Sequence, residues 1–563
     1  MTMPGYTCSM KGVSPLRTIF FSLIILLAQS GATYGGLLIE FEIASNLQQR
    51  LFQPPTEIDN DPLFSPTTVA TFYRQRSYRP YWSHQGHVTP TAHSFLQHLG
   101  NVINDGLEPL DYHLLQLTKA FSSPRKDLLA EEVSRLEILL SDAFFHLAFD
   151  LQGGEAPQGA TWSLPAPKRI ADSTLFEALR REEPHRLLQK MRPNHPDYAA
   201  LRNALNDYRQ IATQGGWSQL PPKILQIQEG EGVHHLRHRL AASHDIATAE
   251  GPEHIDIDLK RAIRHFQKRH GLPPSGEIDE QTLTELNVPI TERIRSILAN
   301  LKRWRQMPRS DFPARYLLVN IPGYRLRLID HGRPLLDMRV VVGRPERPTP
   351  VMQAMMTHLV LNPFWEVPTS IATEDIWPRL IGNPDYAERQ GYHVVNGWDD
   401  EREIDLATLP TDTLDVAELP YRLRQAPGPA NALGRIKFIF PNRDNIYLHD
   451  TPERRHFSQL RRDFSSGCIR LEEPLELADA LLSKSQGLTR RHLEQRLKQG
   501  NNQKIPLSEP LAVYLLYWTA FVDHKGELQF RQDLYGVDPE PSFKRVNSLG
   551  VKRQQPLMGG NHL

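Results

Sequence analysis

Cysteine is nearly absent. Cys8 and Cys468 are the two thiols in 563 residues, which excludes a disulfide scaffold and a cysteine-rich metal site. Net charge is absent too. Lys+Arg 65 and Asp+Glu 65 balance to zero, whereas a dedicated nucleic-acid binder shows a basic excess. Long apolar runs are missing except for Ile19–Ala28, about 10 residues against the roughly 20 of a membrane-spanning helix. Lys11 and Arg17 precede this run, and the small residues Ser30, Gly31 and Ala32 follow it. Residues 1–32 read as a secretory signal, with an uncleaved amino-terminal anchor as the alternative. Cleavage removes Cys8 and leaves Cys468 with no intramolecular partner. Glycine, at 34 residues against 45 prolines, is the scarcer turn former, so many loops are stiff.

The composition that remains, 40% hydrophobic and 8% aromatic, is that of a globular chain, and the length suits about four domains. Residues 33–60 read as a linker. Residues 61–222 are mostly helical: Val133, Leu136, Leu140, Phe144, Leu147 and Leu151 recur every three to four positions, one apolar helix face, closed by Gly153-Gly154. The aromatic run Phe72, Tyr73, Tyr78, Tyr81, Trp82 is expected to pack. Residues 223–290 hold three short helical patterns, and 291–314 a connecting helix. His234, His235 and His238 lack a third ligand beside them, so no metal site is assigned. From 315 to 538 the apolar period falls to two, with Asp330-His331-Gly332-Arg333 as a hairpin turn. The strand pattern lapses at about 372–430, which reads as an insertion. Residues 539–563 are expected to be disordered. The fold class is therefore multidomain α+β.

One stretch carries chemistry. A strand, Tyr447-Leu448-His449, ends at Asp450-Thr451-Pro452. Nineteen residues after His449 comes the turn Phe464-Ser465-Ser466-Gly467-Cys468-Ile469-Arg470. Gly467 lets backbone approach a substrate closely. The N–H groups of Ser466, Gly467 and Cys468 suit a developing oxyanion. Arg470 offers a positive charge to lower the thiol pKa or to hold a carboxylate, and His449 can take and return the thiol proton. Acyl transfer through a thioester fits these residues. Spacing alone leaves open the alternative of a buried thiol with unrelated neighbours.

At these positions the chain resembles the L,D-transpeptidase family with its YkuD-type catalytic domain, whose motif is a strand His followed by Ser-x-Gly-Cys-x-Arg. Ser466 stands where many members have His, and Asp450-Thr451-Pro452 where many have Gly-Thr; both departures match a large periplasmic branch. Leu361-Asn362-Pro363-Phe364-Trp365-Glu366-Val367-Pro368 and Tyr517-Trp518-Thr519-Ala520 … Asp533-Leu534-Tyr535 fit the same branch. Residues 223–290 resemble the small peptidoglycan-binding module, with Ser275-Gly276 and Asp279 replacing its usual Asp-Gly and second Gly.

The resemblance implies catalytic Cys468, His449 and Arg470, with Ser466, Gly467, Tyr447 and Trp365 at the oxyanion or substrate groove. It also implies a periplasmic enzyme that joins peptidoglycan stem peptides by 3→3 cross-links, without cofactor or metal. His456 is a weaker candidate base. His393 and Trp398 are candidate contacts in the insertion, which would cap the groove. Stem peptides are the expected partners, possible further wall-synthesis proteins beside them, with no nucleic acid and no membrane span after cleavage. L,D-carboxypeptidase, lipoprotein-anchoring transpeptidase and non-catalytic wall scaffold remain the alternative readings.

Overall fold

The computed structural model describes residues 31–122, 128–155, 162–308, 312–397, 402–408 and 421–539. Most of the expected signal, Cys8, Trp398 and residues 540–563 lie outside that range. The described residues divide into two compact units. One comprises residues up to 155 and 167–194, the other 156–166 and 195 onward.

The first unit is helical. Its central helix, Ala130–Leu151, buries residues on nearly every side, among them Val133, Leu136, Leu140, Phe144 and Leu147. Where the sequence suggests a linker, Gly31–Phe52 is a helix. Ile43, Leu47 and Leu51 recur at four-residue spacing and are fully buried, so the segment gains a packed face that a tether lacks. Phe72, Tyr73, Trp82 and Phe95 are buried in the same core. This core also holds acids. Glu137 accepts from the Tyr73 hydroxyl at 2.6 Å, the Tyr81 N–H at 2.8 Å, the Trp82 N–H at 2.9 Å and the Ser83 hydroxyl at 2.7 Å. Asp142 accepts from the N–H groups of Phe64 and Ser65 and shares His113 with Asp61.

The second unit begins with a helix, Pro196–Thr213. Tyr198, Leu201, Leu205 and Tyr208 join one core with Ile297, Leu301 and Trp304 of helix Ile290–Gln306. The residues read as the end of the helical scaffold and as a connecting helix are thus core elements here, because each carries a complete apolar stripe. Between them, helices Glu231–Ala242, Ile257–Arg269 and Glu280–Leu286 enclose Val233, Leu236, Leu240, Leu259, Ile263, Phe266, Leu283 and Leu286. Asp256 and Asp279 cap the second and third by accepting from the N–H groups of Leu259 and Thr282, each worth about 1 kcal/mol.

The β-rich part closes on itself. Its strands are β1 (Arg315–Asn320), β2 (Arg325–Asp330), β3 (Arg333–Gly343), β4 (Met352–Leu361), β5 (Trp365–Glu366), β6 (Tyr392–Asn396), β7 (Glu403–Ile404), β8 (Tyr421–Gln425), β9 (Ile436–Ile439), β10 (Leu448–His449), β11 (Asp463–Ser465), β12 (Ile469–Leu471) and β13 (Gln503–Leu516). The ladder runs β3-β12-β10-β9-β4-β13-β1-β2, and β2 pairs back to β3. Among the described residues this makes a closed ring of eight strands, and the short strand β11 adds in parallel to the end of β3 as a ninth. Pro506 lies at the register shift between β13 and β4, where its missing N–H costs the ladder least. The inserted segment forms a second sheet in the order β7-β6-β8-β5, with its own core of Trp365, Val367, Ile376, Trp377, Leu380, Val394, Leu423 and Leu433. It is wider than the lapse in strand pattern at 372–430, because Trp365 and Leu433 flank the lapse and still pack into it.

Candidate active site

Strand register brings the candidate residues to one face. Lys437 on β9 pairs with His449 on β10, and His449 pairs in parallel with Arg470 on β12. Directly paired residues share a face, and faces alternate along a strand. Leu448, Phe438 and Ile469 therefore point into the ring and are fully buried. Lys437, Tyr447, His449, Cys468 and Arg470 leave the other side. Tyr447 and Cys468 continue the β10–β12 ladder by one step, through the bond from the Ile469 N–H to the Tyr447 carbonyl at 3.1 Å.

The turn carrying Cys468 is held from three directions. The Ser465 hydroxyl donates to the Cys468 carbonyl at 2.5 Å, and the Gly467 N–H donates back to that hydroxyl at 3.2 Å. The Gly467 N–H, expected as an oxyanion donor, is thus already committed inside the turn. Gly467 has φ of 110°, a conformation strained for other residues. Its carbonyl accepts from the Thr349 hydroxyl at 2.7 Å. That hydroxyl accepts from the Gly343 N–H at 2.8 Å. The Tyr535 hydroxyl takes the Thr349 N–H and donates to the Gly343 carbonyl, while Tyr517, bonded to Asp533, accepts the Tyr535 N–H. The late segment 517–535 is therefore a buttress for the turn. Ser466 accepts from Arg347 at 3.2 Å, and the same guanidinium binds Asp375 at 2.7 Å and Glu374. One arginine ties the turn to the inserted segment.

His449 is 4% exposed. Its Nδ1–H donates to the Asp450 carbonyl at 2.5 Å. The ring is fixed with Nε2 as the acceptor nitrogen. The Asp450 carboxylate accepts the Arg435 N–H at 2.9 Å, which pins the strand end. Burial, the Arg470 charge and Lys437 push the His449 imidazole down to about 3, against the bond to Asp450. Cys468 is half-buried, with Sγ 3.8 Å from the Asn445 carbonyl. Asn442 shapes that loop, donating to the carbonyls of Phe440 and Ile446 and accepting from the N–H groups of Asp444 and Ile446. Burial raises the thiol pKa; the Tyr447 N–H, Lys437, the Tyr447 hydroxyl and Arg470 oppose it. The resting pair is a neutral thiol with a neutral imidazole, so proton transfer must accompany bond formation.

Tyr447 stands one ladder step from Ile469 and so beside Cys468, and it packs on the core that holds Trp365; burial first, then the nearby Cys468 charge, raise its pKa well above the usual phenol value. Trp365 itself is buried among inserted-segment residues, so its route to the groove runs through Tyr447. The Arg470 Nε is buried without a hydrogen-bond partner. His456 sits in the turn Arg454–Ser458 with its ring 4.7 Å from Phe464, off the shared face. His393 pairs with Glu403 at 3.1 Å. Sequence reading missed Lys437. Its place opposite His449 is visible only once strand register is known. It also missed Arg347, Thr349 and Asn442, which act through loops.

Three stretches of the chain match known protein families. Residues 314–489 match the L,D-transpeptidase catalytic domain of the YkuD family. Residues 67–205 match a scaffold domain, and residues 229–286 a "Putative peptidoglycan binding domain". A Haemophilus influenzae protein named "Putative L,D-transpeptidase" is 35% identical over 254 residues, 45% of this chain and 50% of the relative. The chain thus spans about half the length of the curated relative it matches. Among solved structures, an L,D-transpeptidase from Stackebrandtia nassauensis matches at 13% identity, covering 52% of this chain and 93% of that one, with a TM-score of 0.20. One from Xylanimonas cellulosilytica matches at 14% identity, covering 51% and 95%, with a TM-score of 0.17. The chain thus carries a YkuD-family L,D-transpeptidase catalytic domain, joined to a scaffold domain and a peptidoglycan-binding-type domain.

Proposed function

We propose that the protein forms 3→3 cross-links in peptidoglycan through a thioester on Cys468, acting in the periplasm. The observation that carries this reading is the shared face of Cys468, His449 and Tyr447, with the inserted sheet contacting it through Trp365. The donor is a tetrapeptide stem. Sγ bonds to the carbonyl carbon of the third residue while the thiol proton passes to His449 Nε2. The Tyr447 hydroxyl donates to the oxyanion. Collapse breaks the peptide bond, and the departing D-alanine amine takes the proton from His449. The side-chain amine of a second stem then attacks the thioester, and the proton returns through His449 to sulfur. Arg470 sits beside this path and supports the thiolate or a stem carboxylate. Among the described residues no helix is long and apolar enough to cross a membrane.

The inserted sheet favours transfer over hydrolysis, since the thioester has to outlast the arrival of a large amine with water excluded. The test is mass analysis of products from purified disaccharide-tetrapeptide serving as donor and acceptor. Dimers linked between two third residues are expected, with none from Cys468→Ala. Tripeptide alone at every acceptor concentration would make the protein a carboxypeptidase. A Cys468→Ala variant that still forms dimers would remove the thioester.

A further inference from the structure

Lys437 has no role in the steps above, yet it occupies the centre of the same face. It lies half-buried on β9, directly opposite His449, and diagonal to Tyr447, within reach of a long side chain. Its Nζ stands 3.8 Å from the centre of the Tyr447 ring. Among the described residues it has no ion-pair partner. The carboxylate whose charge reaches it is Glu366, on β5 of the inserted sheet. Both oxygens of Glu366 are already taken, by Arg422 at 2.7 Å and Arg424 at 2.5 Å. A lysine with a purely structural role would run its stem over apolar surface and leave its ammonium in water. Lys437 instead rests on an aromatic face, and that ring belongs to the residue beside Cys468 on the β10–β12 ladder.

We propose that Lys437 is a positioning residue for acylation: its ammonium on the Tyr447 ring aims the Tyr447 hydroxyl at Sγ and sets a positive charge against the forming thiolate. A cation over a phenol ring is attracted to its face, so the ring is held by Lys437 on its face and by its packing on the core around Trp365. The groups facing Cys468 are Lys437 from β9, Tyr447 and His449 at β10, and Arg470 from β12. His449 is neutral at working pH, so Lys437 and Arg470 carry the positive charge. Lys437 favours the Cys468 thiolate more than Arg470 does. Burial lowers the Lys437 pKa while Cys468 and Glu366 raise it, as expected for an ammonium held for a nearby anion.

The proposal rests on the reading of Cys468 as nucleophile, and the experiment separates the two. Iodoacetamide alkylation of the full chain is followed against pH, with Cys468→Ala as the blank, alongside the rate of covalent modification by a carbapenem. Lys437→Met is expected to move the alkylation midpoint upward by about one pH unit and to slow acylation about tenfold, while Lys437→Arg stays within about threefold of wild type. Tyr447→Phe combined with Lys437→Met should lose less than the sum of the two single losses, since part of the lysine's effect passes through that hydroxyl. An unmoved midpoint in Lys437→Met, equal losses in the Met and Arg variants, or fully additive losses in the double variant would overturn the proposal. A Met variant that fails to fold passes the decision to Lys437→Gln in the same assays. Carbapenem modification that persists in Cys468→Ala would instead overturn the nucleophile.

Discussion

Glu137 and Cys468 sit in opposite kinds of polar burial. In the helical unit, Glu137 is 1% exposed and receives four donors. Its neighbour Asp142 is satisfied in the same way, and His113 binds two carboxylates. Burial works to lower the His113 pKa, but its bonds to Asp142 and Asp61 raise it overall. On the β9–β10–β12 face, the Arg470 Nε has no partner and Lys437 has no ion pair. The His449 Nε2 and the Cys468 thiol are left to react. Satisfied buried polar groups specify a core. Unsatisfied ones cost stability and persist where a reacting molecule completes them. Unpartnered buried atoms also occur elsewhere among the described residues, as at Arg315 Nε and Glu527 Oε2, so it is their clustering beside a thiol that sets this face apart.

The largest expected effect falls on the unsatisfied side. His449→Ala should slow carbapenem acylation about 10²–10⁴-fold, as for a lost general base, while the protein stays folded. A rate within threefold of wild type would move the base elsewhere, with His456 the first to test. The same residue carries a pH signature. Its folded pKa lies below its unfolded value near 6.5, so the unfolded chain binds the proton more tightly. Its contribution to stability is complete above about 6.5 and is lost as pH falls toward about 3. Thermal melting between pH 7 and 4 should therefore drop more in wild type than in His449→Ala.

Glu137→Ala should do the reverse. It strands several buried donors and should destabilise the helical unit by about 2–3 kcal/mol, read by urea unfolding, with Cys468 alkylation unchanged. A loss of thiol reactivity without a loss of stability would erase the distinction between the two regions.

The smallest effect tests their boundary case, Arg347, which is both satisfied and beside the site. Arg347→Ala releases Ser466 from Asp375 and Glu374. Hydrogen exchange should quicken in residues 369–376, and acylation should fall less than tenfold. Unchanged exchange would mean that the core of the inserted sheet alone holds the segment.

Much of the site was legible because its chemistry is local. Ser465 to Arg470 form one turn, and a thiol after a glycine announces itself in sequence. Helix faces such as Val133 to Leu151 were legible because their period is intrinsic to the chain. The segment at 33–60 was misread as a linker because its apolar residues, Ile43, Leu47 and Leu51, are sparse among polar ones. Only the neighbouring helices turn that thin stripe into a core. The Gly467 N–H looked free because nothing in the sequence shows that Ser465 will accept it.

The amino-acid sequence by itself determined the tight turn that carries Cys468, the strand that ends in His449 and the alternation of faces along each strand, since these depend on neighbours a few bonds away. Tertiary structure alone decided that Lys437 stands opposite His449, that Tyr447 packs on the core around Trp365, and that Arg347 joins the turn to the inserted sheet. Those contacts span strands distant in the chain. Their register is set by ring closure and core packing, which no local pattern encodes.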